Sequence, residues 1–376
     1  MCLSQKRESN SLPLSDPQFN GVVPFQYHNS TTSLKKSQSI DNELRDKWTP
    51  KKKLSERLVS SYRFLGYNKK AERVESCGTS LEFVEVAAGA GVSPLGSART
   101  SCDDDKSFKL HKANFCRDRL CPMCAWRRSY KIFGQVSKIM NLIQNDYEFI
   151  FLTLTVPNVQ GEFLTDKLNS LSDGWIKLSR HKRFKASVKG FFKALEVTYN
   201  RQADTFHPHF HAVLAVSKHY FKDDSYIKRD EWLKMWQKAM NDYSITQVDV
   251  RKARDKRNSS DGATCSALLA SCVAEIAKYA VKSSDYLFSD TGLTNYVVSV
   301  LVPALSDRRL CSFGGCFKKA FQALNLDDSE NGDLIHLDGD IRSDVALQIY
   351  RYGWSCGAYK LIEVIHKADI LADFDE

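Results

Sequence analysis

The sequence predicts an α+β chain in which an antiparallel sheet is flanked by helices and preceded by a small cysteine-rich segment. Three observations lead there. Runs of β-branched and aromatic residues recur from residue 149 onward. Runs with helical spacing of apolar residues fall between and after them. The second and third strand-like runs are separated by residues 200–206, a length suited to a hairpin loop.

Residues 1–70, rich in Ser, Asn, Pro and Lys, read as a disordered basic arm. Within it Lys51-Lys-Lys53 is either a phosphate contact or a solvated charge run. A cysteine-rich segment covers 71–130, interrupted at 87–96 by a small-residue stretch that reads as an insertion. Strand character begins at 149–156 and ends at Pro157-Asn158, with Phe151, Thr153 and Thr155 on one face and Ile150, Leu152 and Leu154 on the other. Helix is expected at 164–178, strand at 191–199 and 210–215, and helix at 230–240. A further helix at 267–283 carries the apolar stripe Leu269, Cys272, Val273, Ile276 and Ala280. The main domain is expected to span 131–320, and 321–376 to form a C-terminal extension.

Composition narrows the class. The chain of 376 residues carries 54 Lys+Arg against 45 Asp+Glu, a net charge of +9, which favours a polyanionic partner. No stretch approaches the roughly 18 apolar residues of a membrane span, and the first residues lack a secretory apolar run. A cytoplasmic location, with no membrane partner, is the expectation. There, eleven cysteines suggest metal binding rather than disulfides.

Cys116, Cys121 and Cys124 form a C-x4-C-x2-C run followed by Trp126-Arg-Arg128. The close Cys121/Cys124 pair suits a tetrahedral Zn²⁺, making the segment zinc-ribbon-like. Cys77 is the favoured fourth ligand, because the alternative, Cys102, follows the insertion. Reduced, partly buried cysteines or a redox C-x-x-C are the competing readings.

In His207-Pro-His-Phe-His211 the alternation of a strand turns His209 and His211 to one face, where both can grip one metal ion. A symmetric 200–206 loop would set Glu196 opposite His211 and Thr198 opposite His209, making Glu196 the third ligand. His207 shares that face and suits an outer position. In Glu275-Ile-Ala-Lys-Tyr279 the one-turn spacing puts Glu275 and Tyr279 on one helix edge, close to Lys282. A phenol of pKa about 10 needs a polarised phosphate or a nearby cation to act as a nucleophile near neutrality. An exposed Glu and a packed Tyr are the bland alternative.

Together these residues resemble the HUH endonucleases, and most closely the rolling-circle plasmid replication initiator (Rep) family with one active tyrosine. The resemblance rests on 114–128, Phe151-Leu-Thr-Leu-Thr155, Ala194-Leu-Glu-Val-Thr198, His207–His211, Glu275–Tyr279 and the glycine-containing Arg309–Lys318. It implies that 131–320 is an HUH catalytic domain. His209 and His211, with Glu196, would hold Mg²⁺ or Mn²⁺; Tyr279 would be the nucleophile and Glu275 the activator of water, with Lys282 assisting. It further implies plasmid origin DNA, single-stranded at the cleavage site, as substrate, and host helicase and DNA polymerase as partners. The basic loop Arg251–Arg257, with Arg254 and Arg257, is the candidate phosphate contact beside Tyr279. A single-tyrosine transposase or relaxase shares this chemistry. A zinc-ribbon regulator that cleaves nothing, or a hydrolase of small phosphoesters, would use only part of it.

Overall fold

The computed structural model describes residues 40–86, 107–252, 282–337 and 346–366. The described residues from Asp41 onward belong to one compact unit. Glu275, Tyr279, Arg254, Arg257 and Cys102 lie outside the described residues, as do the 87–96 insertion and all of the expected 267–283 helix except Lys282 and Ser283.

A π-helical turn, Leu44–Trp48, runs into α1 (Thr49–Phe64), with Pro50 in its first turn where no amide donor is needed. Lys52, Ser55, Leu58, Val59 and Tyr62 are buried at helical spacing, and Trp48 packs edge-on against Phe83 and Trp126. The expectation of a disordered arm through residue 70 therefore does not hold for residues 40–70. Lys52 misled it: this lysine is 1% exposed, and its ammonium donates to the carbonyls of Glu75 (2.6 Å) and Cys77 (2.8 Å). A lysine that caps carbonyls inside the fold looks in sequence like one that faces water.

After α2 (Asn68–Ser76) come β1 (Ser80–Val86) and β2 (Ser107–Ala113), then the long α3 (Pro122–Ile143). The main sheet begins with β3 (Tyr147–Thr155). Helices α4 (Leu164–Arg180) and α5 (Lys182–Ser187) lead into the long hairpin of β4 (Val188–Asn200) and β5 (Thr205–Ser217). Then follow α6 (Arg229–Met240), β6 (Val248–Lys252), α7 (Thr291–Leu305), β7 (Cys311–Gly315), α8 (Cys316–Ala323), β8 (Ala346–Ser355) and β9 (Ala358–His366).

Two antiparallel sheets result, ordered β2-β1-β8-β9 and β6-β3-β5-β4-β7. The α+β class and helix-flanked antiparallel sheet match the sequence reading. The first sheet joins the cysteine-rich segment to strands of the expected C-terminal extension, so 321–376 is not a simple appendage. Its last hairpin turns on Cys356 and Gly357, both at positive φ (51° and 76°), as a two-residue turn between twisted strands requires.

In the five-stranded sheet Ile150, Leu152 and Leu154 are buried, as alternation predicts. They share a face with Phe210 and Leu214, under α4 (Leu164, Leu168, Leu171, Trp175 and Leu178 buried) and α6. The opposite face carries Phe149, Phe192, Ala194, Val213 and Ala215, packed against Ile132, Val136, Ile139 and Ile143 of α3 and Phe317 of α8. At β7, Gly315 has φ +56°, and an added Cβ would lie 2.2 Å from the Lys189 carbonyl oxygen. Only glycine permits that edge strand to close on β4. Among the described residues no helix is long and apolar enough to cross a membrane.

Candidate active site and cysteine centre

The β4–β5 register fixes the site. Asn200 pairs with Thr205, so the loop is four residues, 201–204, rather than the 200–206 expected. The Asn200 side-chain oxygen accepts from the amides of Gln202 and Ala203 (3.0 and 3.2 Å), and Asp204 adopts positive φ (48°). This turn lets pairing run further toward the tip than the sequence suggests. The register moves by two residues: Glu196 faces His209 and Ala194 faces His211. An even shift preserves the face, so Glu196 stays beside both histidines.

Glu196 Oε2 lies 2.9 Å from His211 Nε2 and 3.4 Å from His209 Nε2, and the two Nε2 atoms are 3.1 Å apart. The three donor atoms meet within 4.8 Å of one another, a spacing that one divalent cation can bridge. Each ring is held from behind. His209 Nδ1 donates to the His207 carbonyl (3.1 Å), which turns Nε2 toward the cluster. His211 Nδ1 lies 3.1 Å from Thr153 Oγ1, its direct cross-strand partner on β3. The His207 ring stacks on His209 at 4.9 Å, and burial pushes its imidazole below the usual value, with the neighbouring His209 adding to the effect.

The other oxygen of Glu196 meets Lys282 at 3.0 Å. Burial opposes ionisation of Glu196, but hydrogen bonds from His209, His211 and Lys282 outweigh it and hold the carboxyl well below the usual range. The site thus keeps an ionised carboxylate in a place where only 4% of the residue is exposed. Asp285 enters from the turn after Lys282. Burial pushes its carboxyl above the usual value although Lys282 pulls it down, and its Oδ2 is buried without a hydrogen-bond partner among the described residues. Asp285 and Thr153 were not singled out as site residues in the sequence. The signal for Thr153 was available, since it shares the histidine face, but its partner could be named only from the β3–β5 register.

At the head of α3, Cys77, Cys116, Cys121 and Cys124 converge. Sγ contacts of 3.6 Å link Cys77 to Cys124, Cys116 to Cys124 and Cys121 to Cys77. A tetrahedral Zn²⁺ with bonds near 2.3 Å sets its sulfurs about 3.8 Å apart, so the four donors fit such an ion, whereas a disulfide needs about 2.05 Å. Backbone amides of Cys116, Arg117 and Asp118 point at the sulfurs of Cys77, Cys124 and Cys116 (3.4, 3.2 and 3.4 Å), an arrangement that stabilises thiolates. In the cluster alone, burial disfavours the Cys121 thiolate, yet hydrogen bonds from the other three thiols outweigh it and bring Cys121 below the usual thiol range. The same sharing pushes Cys124 up.

A family model described as a replication protein matches residues 107–359, a span that holds three of the four cysteines and the whole Glu–His–His cluster. The chain belongs to the Rep family of replication proteins. Among its relatives, a "Protein rep" of Bacillus amyloliquefaciens is 37% identical over 325 residues, covering 81% of this chain and 90% of the relative. A "Protein rep" of Streptococcus pneumoniae is 33% identical, covering 78% and 84%. One from Staphylococcus aureus is 36% identical, covering 65% of this Rep protein and 96% of its own length. No solved structure matches the chain.

Proposed function

We propose that this Rep protein is a plasmid rolling-circle replication initiator that binds the double-strand origin and nicks one strand through a covalent 5′-phosphotyrosine on Tyr279. The observation that carries the reading is the convergence of two imidazole nitrogens and one carboxylate oxygen at a single point, with Lys282 on the second oxygen of that carboxylate. Tyr279 precedes Lys282 by three positions in the sequence, so their Cα atoms can be at most about 11 Å apart.

Glu196, His209 and His211 would hold Mg²⁺ or Mn²⁺, which would supply a Lewis acid for the scissile phosphate. The Tyr279 oxygen attacks phosphorus and the bond to the 3′-oxygen breaks. That oxygen leaves with a proton as a 3′-OH, which a host DNA polymerase extends behind a host helicase. Lys282 offsets negative charge beside Glu196. After one round, a water deprotonated by Glu275 attacks phosphorus at the termination step, so a second tyrosine is unnecessary. The phosphotyrosine retains the phosphodiester energy, and rejoining needs no nucleotide. Arg254 and Arg257 would contact phosphate near Tyr279. The cysteine centre would hold a structural Zn²⁺. Rep membership favours an initiator over a transposase or relaxase, and a plasmid initiator acts in the cytoplasm.

The test is cleavage of an end-labelled single-stranded origin oligonucleotide. Wild-type protein should nick it only with a divalent cation, and His209→Ala and His211→Ala should lose nicking while still binding the origin. Cleavage that survives chelation, or persists in both histidine variants, contradicts the proposal.

A further inference from the structure

The segment that brings Lys282 to Glu196 is anchored at the residue before Cys121. Lys282 leads a 3-10 turn, Ser283–Asp285, closed by the Asp285 and Leu287 amides on the carbonyls of Lys282 and Ser283 (both 2.9 Å). Directly after the turn comes Tyr286, which is fully buried and whose hydroxyl donates to the carbonyl of Leu120. Leu120 immediately precedes Cys121. Its own amide donates to Asp118 (3.0 Å), whose carboxylate also accepts from Tyr62 (2.8 Å) and Lys70 (3.0 Å). The Arg128 guanidinium holds the Asp118 carbonyl (3.0 Å) and the Glu330 carbonyl (2.9 Å). A route of chain neighbours and hydrogen bonds therefore runs from Cys121 through Leu120, Tyr286 and the turn to Lys282 and the Glu196 carboxylate. A buried carbonyl is held by a specific donor, whereas apolar packing alone would be served equally by phenylalanine.

We infer that Tyr286 is a positioning residue that ties the Lys282 turn to the cysteine centre, so that the cysteine centre sets the cation affinity of Glu196, His209 and His211. This rests on the reading of those three residues as divalent-metal ligands. Removing the hydroxyl loosens the turn, Lys282 loses its fixed place on Glu196, and the carboxylate loses the partner that orients it.

The test measures Mn²⁺ affinity of the full-length protein by the spectroscopic signal of free Mn²⁺, for wild type, Tyr286→Phe, Lys282→Met and the double variant. Tyr286→Phe should shift Mn²⁺ affinity about fivefold, the scale of one buried hydrogen bond, with cysteine-bound zinc unchanged. In the Lys282→Met background the same substitution should have no further effect, because its route to Glu196 is already gone. Equal affinity of wild type and Tyr286→Phe overturns the inference alone, as does an effect that persists undiminished without Lys282. Absence of any Glu196-dependent Mn²⁺ site in the wild type overturns it together with the metal reading beneath it.

Discussion

Thr153→Val isolates one atom of the candidate active site. Valine has nearly the shape of threonine and suits the middle of a strand, so β3 and its pairing should persist. The loss is the hydroxyl 3.1 Å from His211 Nδ1. A net hydrogen bond of about 1 kcal/mol corresponds to about fivefold in an equilibrium. Outer partners of metal-bound histidines typically contribute about 10–100-fold, because they fix both ring orientation and tautomer. His211 is also held by Glu196 at 2.9 Å, so the lower part of that range applies, and we expect Mn²⁺ affinity to fall about tenfold. Nicking should then require more Mg²⁺ but approach the wild-type rate at saturation. Thr153→Ser, which keeps the hydroxyl, should restore both. Unchanged Mn²⁺ affinity in Thr153→Val, or a serine variant as impaired as the valine, would refute the assignment of Thr153 as the group that orients His211.

Three further outcomes are expected. Purified protein should carry one tightly held zinc per chain that is lost in a Cys121→Ser/Cys124→Ser variant with a lowered Tm, and a metal-free but fully stable wild type would speak against the centre. Lys193 lies over the Phe210 ring at 4.1 Å, and burial lowers its ammonium to about 8. The unfolded chain, with a lysine pKa of about 10.4, binds more protons between those values, so this residue makes stability rise from about pH 8 to 10.4. Lys193→Met should flatten that rise and gain about 2 kcal/mol at pH 7, and chemical denaturation of both proteins across this pH range decides the matter. Neutralising Arg254 and Arg257 should weaken origin binding and reduce the slope of log affinity against log salt by about 1 to 2, and an unchanged slope removes that loop from the interface.

Much of the sheet was legible because its strands announce themselves locally. The alternation in 149–156 gave the buried and site-facing sides of β3 directly, and the histidine spacing gave a shared face. What was hidden depends on distant partners. β6 and β7 are five-residue edge strands whose pairing is visible only once β3 and β4 are in place. The β1–β8 pairing joins residues on either side of the whole main sheet, and no local pattern in Ser80–Val86 points to Ala346–Ser355. The hairpin register was displaced because Asn200 acts as a turn-former rather than as part of a symmetric loop. Lys52 was read as a phosphate contact or a solvated charge because sequence does not reveal carbonyls supplied from the end of α2. Cys77 could be favoured because Cys102 follows the insertion, but its sulfur reaches the others only through the turn after that helix.

The central claim is that Tyr279 becomes covalently joined to the 5′ side of the nick. The direct measurement is peptide mapping by mass spectrometry of the adduct formed when wild-type protein reacts with a labelled single-stranded origin oligonucleotide and Mn²⁺. The account predicts one modified peptide, carrying a 5′-phosphonucleotide on Tyr279, and no adduct or nick with Tyr279→Phe although origin binding persists. An adduct on another residue, or normal nicking by Tyr279→Phe, would contradict it.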